Sequence, residues 1–145
     1  MSQAQLMMIV LGMIVVGIAA MMGIVGFGEG KKRANLDSLL QDGYQVAVDG
    51  IRWMRKPTSM GGGGDACALR GCDWSNASFE AFGYGAGGQD TYHTFNGEIQ
   101  IDPTSDPSVL VIRVSNVEQM NLVTISVTHS SPDSVFTEID PEYVP

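Results

Sequence analysis

An apolar run of 22 residues, from Leu6 to Phe27, constrains this chain more than any other feature of its sequence. The run reads LMMIVLGMIVVGIAAMMGIVGF and contains no charged or strongly polar side chain. A helix of this length is about 33 Å long, which is enough to cross a bilayer core of about 30 Å. The other residues have the composition of a compact soluble domain. The sequence therefore predicts one N-terminal membrane-spanning helix that carries a small head.

The charge of the chain argues against nucleic acid as a partner. Eight Lys and Arg stand against 16 Asp and Glu, a net charge of −8. Phosphate binding requires clustered cations, and the one cluster, Lys31 to Arg33, directly follows the apolar run, as in a juxtamembrane flank. If the run is an ordinary span, these cations hold the head in the cytoplasm. If a basic leader preceded Met1 and was removed, the head is exported.

Glycines accumulate at the end of the apolar run, at Gly23, Gly26, Gly28 and Gly30. Each glycine inside a helix costs about 1 kcal/mol relative to alanine. The sequence therefore predicts a break at this segment, where the helix frays, bends or extends.

A second, amphipathic helix is predicted from Ala34 to Lys56, ended by Pro57. Its apolar stripe recurs at three- and four-residue steps and consists of Leu36, Leu40, Tyr44, Ala47, Ile51 and Met54. Asn35 could cap its start, although helical continuity back through Lys31 fits equally well. The stripe indicates a helix with one side packed on a sheet.

Residues 58–91 are predicted to form a glycine-rich loop with interleaved aromatic side chains, which indicates a packed loop rather than a free linker. Cys67 and Cys72 lie in it as CALRGC. Such a pair can be a disulfide, half of a metal site or two free thiols. Zinc needs four ligands and the two histidines are scattered, so we expect a disulfide, provided that the head is exported. Asn76 begins an N-glycosylation triplet, a pattern that is frequent by chance.

The C-terminal part is predicted to be an antiparallel meander, because alternating apolar residues are separated by short turn-rich connections. The expected strands are His93–Ile101, Val109–Ser115, Leu122–Thr128 and a weaker fourth, Val135–Ile139. The predicted fold class is α+β, a long N-terminal helix packed on a C-terminal antiparallel sheet. Its segments are the apolar helix with the glycine-rich break (1–30), the amphipathic helix (31–57), the loop (58–91), and the sheet with its tail (92–145).

No catalytic or metal-binding set emerges from the residues. No nucleophile motif organises the Ser, His and Asp residues, and the spacing of Asp90, Glu98, Asp102 and Asp106 matches no EF-hand loop. We therefore expect a protein that is not an enzyme and that has no cofactor.

The order of these segments along the chain, with an uncharged N-terminus and an apolar run starting at the sixth residue, resembles the type IV pilin superfamily and, by its N-terminal Met, the type IVb branch. The resemblance implies that a leader peptidase cuts before Met1 and that Met1 is N-methylated. It also implies that the apolar half of the helix forms a filament core and that the helix melts near Gly23–Gly30 on assembly. The expected assembly residues are Gln5, Leu6, Leu11, Gly12 and Ile18.

The chain departs from the family pattern at Gln5, where the family usually has a Glu that neutralises a neighbouring N-terminal amine. Glutamine can accept a hydrogen bond from that amine but cannot cancel its charge. The family's usual helix proline is also absent, and glycines stand in its place. The cysteine pair lies between helix and sheet rather than around the C-terminal region.

The function implied by the resemblance is that of a structural subunit of an extracellular pilus. The expected partners are copies of the same chain in a helical filament, the inner membrane before assembly, the leader peptidase and the pilus assembly machinery. Two alternatives stay open, a pseudopilin of a type II secretion system and a single-pass membrane protein with a cytoplasmic acidic head. Free cysteine thiols would favour the last of these.

Overall fold

The computed structural model describes residues 2–64, 67, 72–85, 90–102 and 106–141. Contacts within the chain divide it into two compact units, Met1–Ala34 and Asn35–Pro145, called here the apolar unit and the head. The head consists of the second part of a long helix, α1, and a five-stranded antiparallel sheet. The predicted α+β fold class, a long N-terminal helix packed on an antiparallel sheet, is confirmed.

Helix α1 runs without interruption from Gln3 to Arg55. The predicted fraying or extension at Gly23–Gly30 is therefore wrong for the single chain, because the helix continues through this segment, and the two predicted helices are one. Glycine adopts helical dihedral angles readily, so its cost of about 1 kcal/mol per residue weakens a helix without ending it. Helical residues on both sides of the segment keep it helical in this chain. The alternative of helical continuity back through Lys31 is the correct one.

The C-terminus of α1 is closed by the glycine-rich segment that follows it. The carbonyl oxygen of Trp53 accepts from the backbone N–H of Lys56 at 3.1 Å and from that of Gly63 at 3.0 Å. The indole Nε1 of Trp53 donates to the carbonyl oxygen of Gly61 at 3.0 Å. Because the last carbonyls of a helix lack partners within it, these bonds make the first part of the loop a cap for the helix.

The five strands follow one another in space in their chain order, and each pairs antiparallel with the next. They are β1 Thr91–His93, β2 Glu98–Asp102, β3 Leu110–Asn116, β4 Asn121–Val127 and β5 Val135–Asp140. The meander is as predicted, but the single strand expected at His93–Ile101 is wrong. It is a hairpin, because Thr94 and Gly97 close a turn in which the N–H of each bonds to an oxygen of the other.

The core of the head lies between α1 and one face of the sheet. The sheet contributes alternate residues of its central strands, namely Ile99, Ile101, Leu110, Ile112, Val114, Val123, Ile125 and Val127. Gly43 and Gly50 lie on the buried face of α1. A Cβ atom at Gly43 would stand 2.7 Å from Val114 Cγ2 and 2.8 Å from Ile125 Cδ1. Glycine therefore lets the helix approach the sheet more closely than any other residue would allow.

The loop between helix and sheet is packed, as its aromatic residues predicted. Trp74 and Phe79 are buried, and the rings of Phe79, Tyr84 and Tyr92 lie with their centroids 5.2–6.0 Å apart. Such spacings suit edge-to-face contacts. The hydroxyl of Tyr84 also donates to Asp49 Oδ2 at 2.8 Å, which ties the loop to α1.

Four asparagines, called here the asparagine cluster, join the start of the head to two turns of the sheet: Asn35, Asn96, Asn116 and Asn121. Asn35 Nδ2 donates to the carbonyl oxygen of Asn96 at 3.1 Å, and Asn121 Nδ2 donates to Asn35 Oδ1 at 3.2 Å. Asn116 Nδ2 donates to the same carbonyl oxygen of Asn96. The β1–β2 and β3–β4 turns are thereby fixed beside Asn35, the first residue of the head.

Candidate functional site: the exposed apolar helix

The candidate site is the part of α1 that belongs to the apolar unit. Every residue from 2 to 31 is exposed, including all the large apolar side chains of the run. Within the described ranges, α1 is the one helix that is long and apolar enough to cross a membrane. The 16 large apolar side chains of the run are all exposed and cannot stay in water, since burying each is worth about 1.5–3 kcal/mol. This surface therefore requires a lipid or a protein partner.

The predicted assembly residues lie along this exposed surface. Leu6 and Leu11 border a shallow apolar groove on the helix. Ile18 lies seven residues, about two helical turns, after Leu11, so these two side chains share one side of the helix. Gly12 lies on another side, with no atom within 4 Å of a Cβ built on it. The structure thus distributes these residues around the helix rather than bringing them together.

Gln5 helps to cap the N-terminus of α1. The backbone N–H of Ser2 donates to Gln5 Oε1 at 3.3 Å, and the N–H of Gln5 donates to the carbonyl oxygen of Ser2 at 3.0 Å. The side-chain bond is one half of a capping box, and the sequence pattern Ser-x-x-Gln at residues 2–5 is its signature. The sequence interpretation had missed this role. Met1, the residue expected to be processed and methylated, lies outside the described residues.

A face of small residues runs along the apolar unit and was also missed in the sequence. Ala19, Gly23, Gly26 and Gly30 follow one another at spacings of four, three and four residues, which places them on one side of a helix. Gly26 and Gly30 form a GxxxG motif, the spacing that lets two helix backbones approach in a membrane. A Cβ at Gly23, Gly26 or Gly30 would meet no atom within 4 Å. The single chain therefore offers no packing reason for these glycines.

The predicted disulfide is present. Cys67 and Cys72 are bonded to each other, and Cys72 is buried in the hydrophobic core of the head. The alternatives of a half metal site and of two free thiols do not apply to this structure. Disulfides persist in oxidising compartments.

Two acidic residues of the head, Asp102 and Asp106, bond to other residues of the head. Asp102 forms an ion pair with Arg113 at 3.0 Å on the neighbouring strand. The carboxylate of Asp106 accepts hydrogen bonds from the side chain and the backbone N–H of Ser108, which lowers the pKa of Asp106. Both residues border a cavity of about 230 Å³ beside Trp74. Across the ranges that the structure describes, no three His, Cys, Asp or Glu side chains are placed to hold a metal ion.

No protein-family model, curated protein or solved structure matches this chain.

Proposed function

We propose that this protein is a structural subunit of an extracellular filament of the type IV pilus class. The apolar unit anchors the subunit in the inner membrane before assembly and then packs against copies of itself in the filament core. One observation carries the proposal: the exposed apolar stretch and the helix that builds the core of the head are the same unbroken helix, Gln3–Arg55.

The energetics of the exposed surface support this exchange of partners. Leaving a bilayer for water would cost tens of kcal/mol at about 1.5–3 kcal/mol per large apolar side chain. Extraction is feasible only if other apolar surfaces replace the lipid. The small-residue face from Ala19 to Gly30 supplies close contacts that helices can make with each other, since lipid tails themselves give no net hydrophobic drive for association.

Assembly in this chain uses a polar residue at position 5 rather than a charge. Gln5 is engaged by the backbone of its own helix through the bond from Ser2. The first charged side chain after it is Glu29, 24 residues further on. The segment from Leu6 to Gly28 therefore carries no charged side chain into the filament core. The charge that has to lose its hydration there is the N-terminal amine, which Gln5 cannot cancel.

The test is electron microscopy of fibres sheared from cells that express this chain, with Gly12→Asp as the perturbation. A carboxylate at position 12 must lose its hydration in a helix bundle, which costs several kcal/mol, so fibres should be lost. Gln41→Asp is the matched control, because residue 41 is exposed on the head part of α1 and tolerates a charge. Normal fibre abundance with Gly12→Asp would contradict the proposal.

Two further measurements separate the alternatives. Mass spectrometry of the N-terminus detects processing and methylation at Met1, which the filament proposal expects. Thiol labelling of whole cells distinguishes an exported head, with Cys67 and Cys72 bonded, from a cytoplasmic one with free thiols. A processed, disulfide-bonded protein that never appears in surface fibres would favour the pseudopilin.

A further inference from the structure

Exposed apolar side chains gather at one end of the head. Phe95, at the tip of the β1–β2 hairpin, has a relative exposure of 104%. In the β3–β4 turn, Val117 and Met120 are 57% and 53% exposed. These three residues are called here the tip cluster. Exposed apolar side chains that gather on two neighbouring turns, rather than being scattered singly, indicate a contact surface.

The tip cluster is held at the end of the head where the chain arrives from the apolar unit. The carbonyl oxygen of Asn96, next to Phe95, accepts hydrogen bonds from Asn35 and Asn116. Asn121, next to Met120, donates to Asn35. Both turns are thus attached to the first residue of the head through the asparagine cluster.

The length of chain between this point and the apolar run is short. Asn35 follows Phe27 by eight residues. These eight residues span about 12 Å as a helix, and no conformation extends them beyond about 28 Å. The interval includes the cations from Lys31 to Arg33, which suit the headgroup level of a bilayer. When α1 crosses a membrane, the tip cluster is therefore within reach of the membrane surface.

We propose that the tip cluster inserts into the headgroup layer of the bilayer that α1 spans, with Phe95 as its anchor. This inference rests on the membrane residence stated under the proposed function and adds a second contact, from the head itself. Phenylalanine, like Trp and Leu, is among the apolar side chains that interfacial segments bury at the boundary between headgroups and acyl chains. Glu118 lies in the same turn as Val117, and its charge keeps that turn in the polar headgroup layer rather than among the acyl chains. Because the head is acidic, the lipid it fits is zwitterionic rather than anionic.

The experiment places a reporter at the anchor. The full chain, as wild type and as Phe95→Trp, is reconstituted into phosphatidylcholine vesicles that contain lipid brominated on the acyl carbons nearest the headgroup. Phe136→Trp is the matched control: it is the same change at an exposed phenylalanine of β5. Asp140 pairs with Leu122 and therefore lies at the end of the sheet that carries the tip cluster. Residue 136 is four residues, about 13 Å, away from that end along β5. The emission of the buried native tryptophans, Trp53 and Trp74, is subtracted using wild type.

We expect the added tryptophan of Phe95→Trp to emit at shorter wavelength and to be quenched by the brominated lipid, whereas that of Phe136→Trp keeps its emission. Equal quenching of both reporters would overturn the tip-cluster inference alone. The absence of quenching at position 95, when the chain floats with the vesicles, would do the same. A chain that fails to float with the vesicles would overturn the membrane residence as well. Emission at position 95 that moves to shorter wavelength as protein density rises, without quenching by the brominated lipid, would assign the tip to a neighbouring copy and overturn the lipid contact.

Discussion

Replacing Gly43 by alanine tests the close packing of α1 on the sheet. The new Cβ would lie 2.7 Å from Val114 Cγ2 and 2.8 Å from Ile125 Cδ1, closer than real side chains approach. Both neighbours are completely buried, so neither can move into solvent. Overpacking of this kind costs about 1–3 kcal/mol, and alanine regains about 1 kcal/mol of helix propensity. We expect a net loss of about 1 kcal/mol in the free energy of unfolding of the head.

The assay is urea unfolding of the full chain in detergent micelles, followed by tryptophan fluorescence. Trp53 and Trp74 are both buried in the head, so their emission reports on its unfolding. Gln41→Ala is the control, since residue 41 is exposed on the same helix and should change stability by less than about 0.5 kcal/mol. Gly43→Val adds two more methyl groups at the same place and should cost about 3 kcal/mol.

A stabilised Gly43→Ala protein would refute this reasoning. A gain of about 1 kcal/mol is what helix propensity alone gives at an open position. It would mean that the helix does not approach the sheet as closely as the structure has it. A loss in Gly43→Val no larger than that in Gly43→Ala would lead to the same conclusion, since the cost would then not follow side-chain volume.

Three further predictions concern the head. Reduction of the Cys67–Cys72 disulfide should lower the free energy of unfolding by about 2 kcal/mol, because the bond closes only a short loop and so removes little entropy from the unfolded chain. Urea titrations with and without reductant measure this difference. Tyr84→Phe should cost about 1–2 kcal/mol through its bond to Asp49. Burial, and then Asp49, raise the pKa of Tyr84 in the folded head. The wild-type protein should therefore lose the stabilisation from Tyr84 as the pH rises above ~10, where the phenol of the unfolded chain ionises, and the Tyr84→Phe protein should not. Asn96→Asp should destabilise the head at pH 7 by setting a second carboxylate against Asp42, which accepts from Asn96 Nδ2 at 2.8 Å. Acid should relieve this loss in pH-dependent unfolding, since protonation removes the repulsion.

The fold class followed from patterns that the sequence states directly. The stripe from Leu36 to Met54 has a helical period, and the residues from Val109 to Val127 alternate with the period of a strand. These periods depend only on which face is buried. They therefore predicted the helix on the sheet and the meander, whereas the interleaved aromatic side chains predicted the packed loop.

The differences arose where three-dimensional contact decides the outcome. In the sequence, Gly43 is a residue that weakens a helix. The structure explains its presence by the close approach of α1 to Val114 and Ile125, about 70 and 80 residues later. The hairpin within His93–Ile101 follows from a turn closed by Thr94 and Gly97, and the Asn-Gly pair at residues 96–97 was an available signal for it. The asparagine cluster joins residues up to 86 positions apart, and no local pattern indicates such a pairing.

The glycines of α1 carry the strongest argument about what the apolar unit packs against. Inside the head, Gly43 offsets its cost in helix propensity by admitting the sheet. In the apolar unit, six glycines meet no atom of the chain within 4 Å of a built Cβ, and together they cost the helix roughly 6 kcal/mol. Fluid lipid tails adapt to any side chain and need no small residues. Another helix backbone does need them, because only glycine and alanine allow the closest approach. The glycine pattern therefore supports the proposal that another helix, rather than lipid alone, is the final partner of the apolar unit.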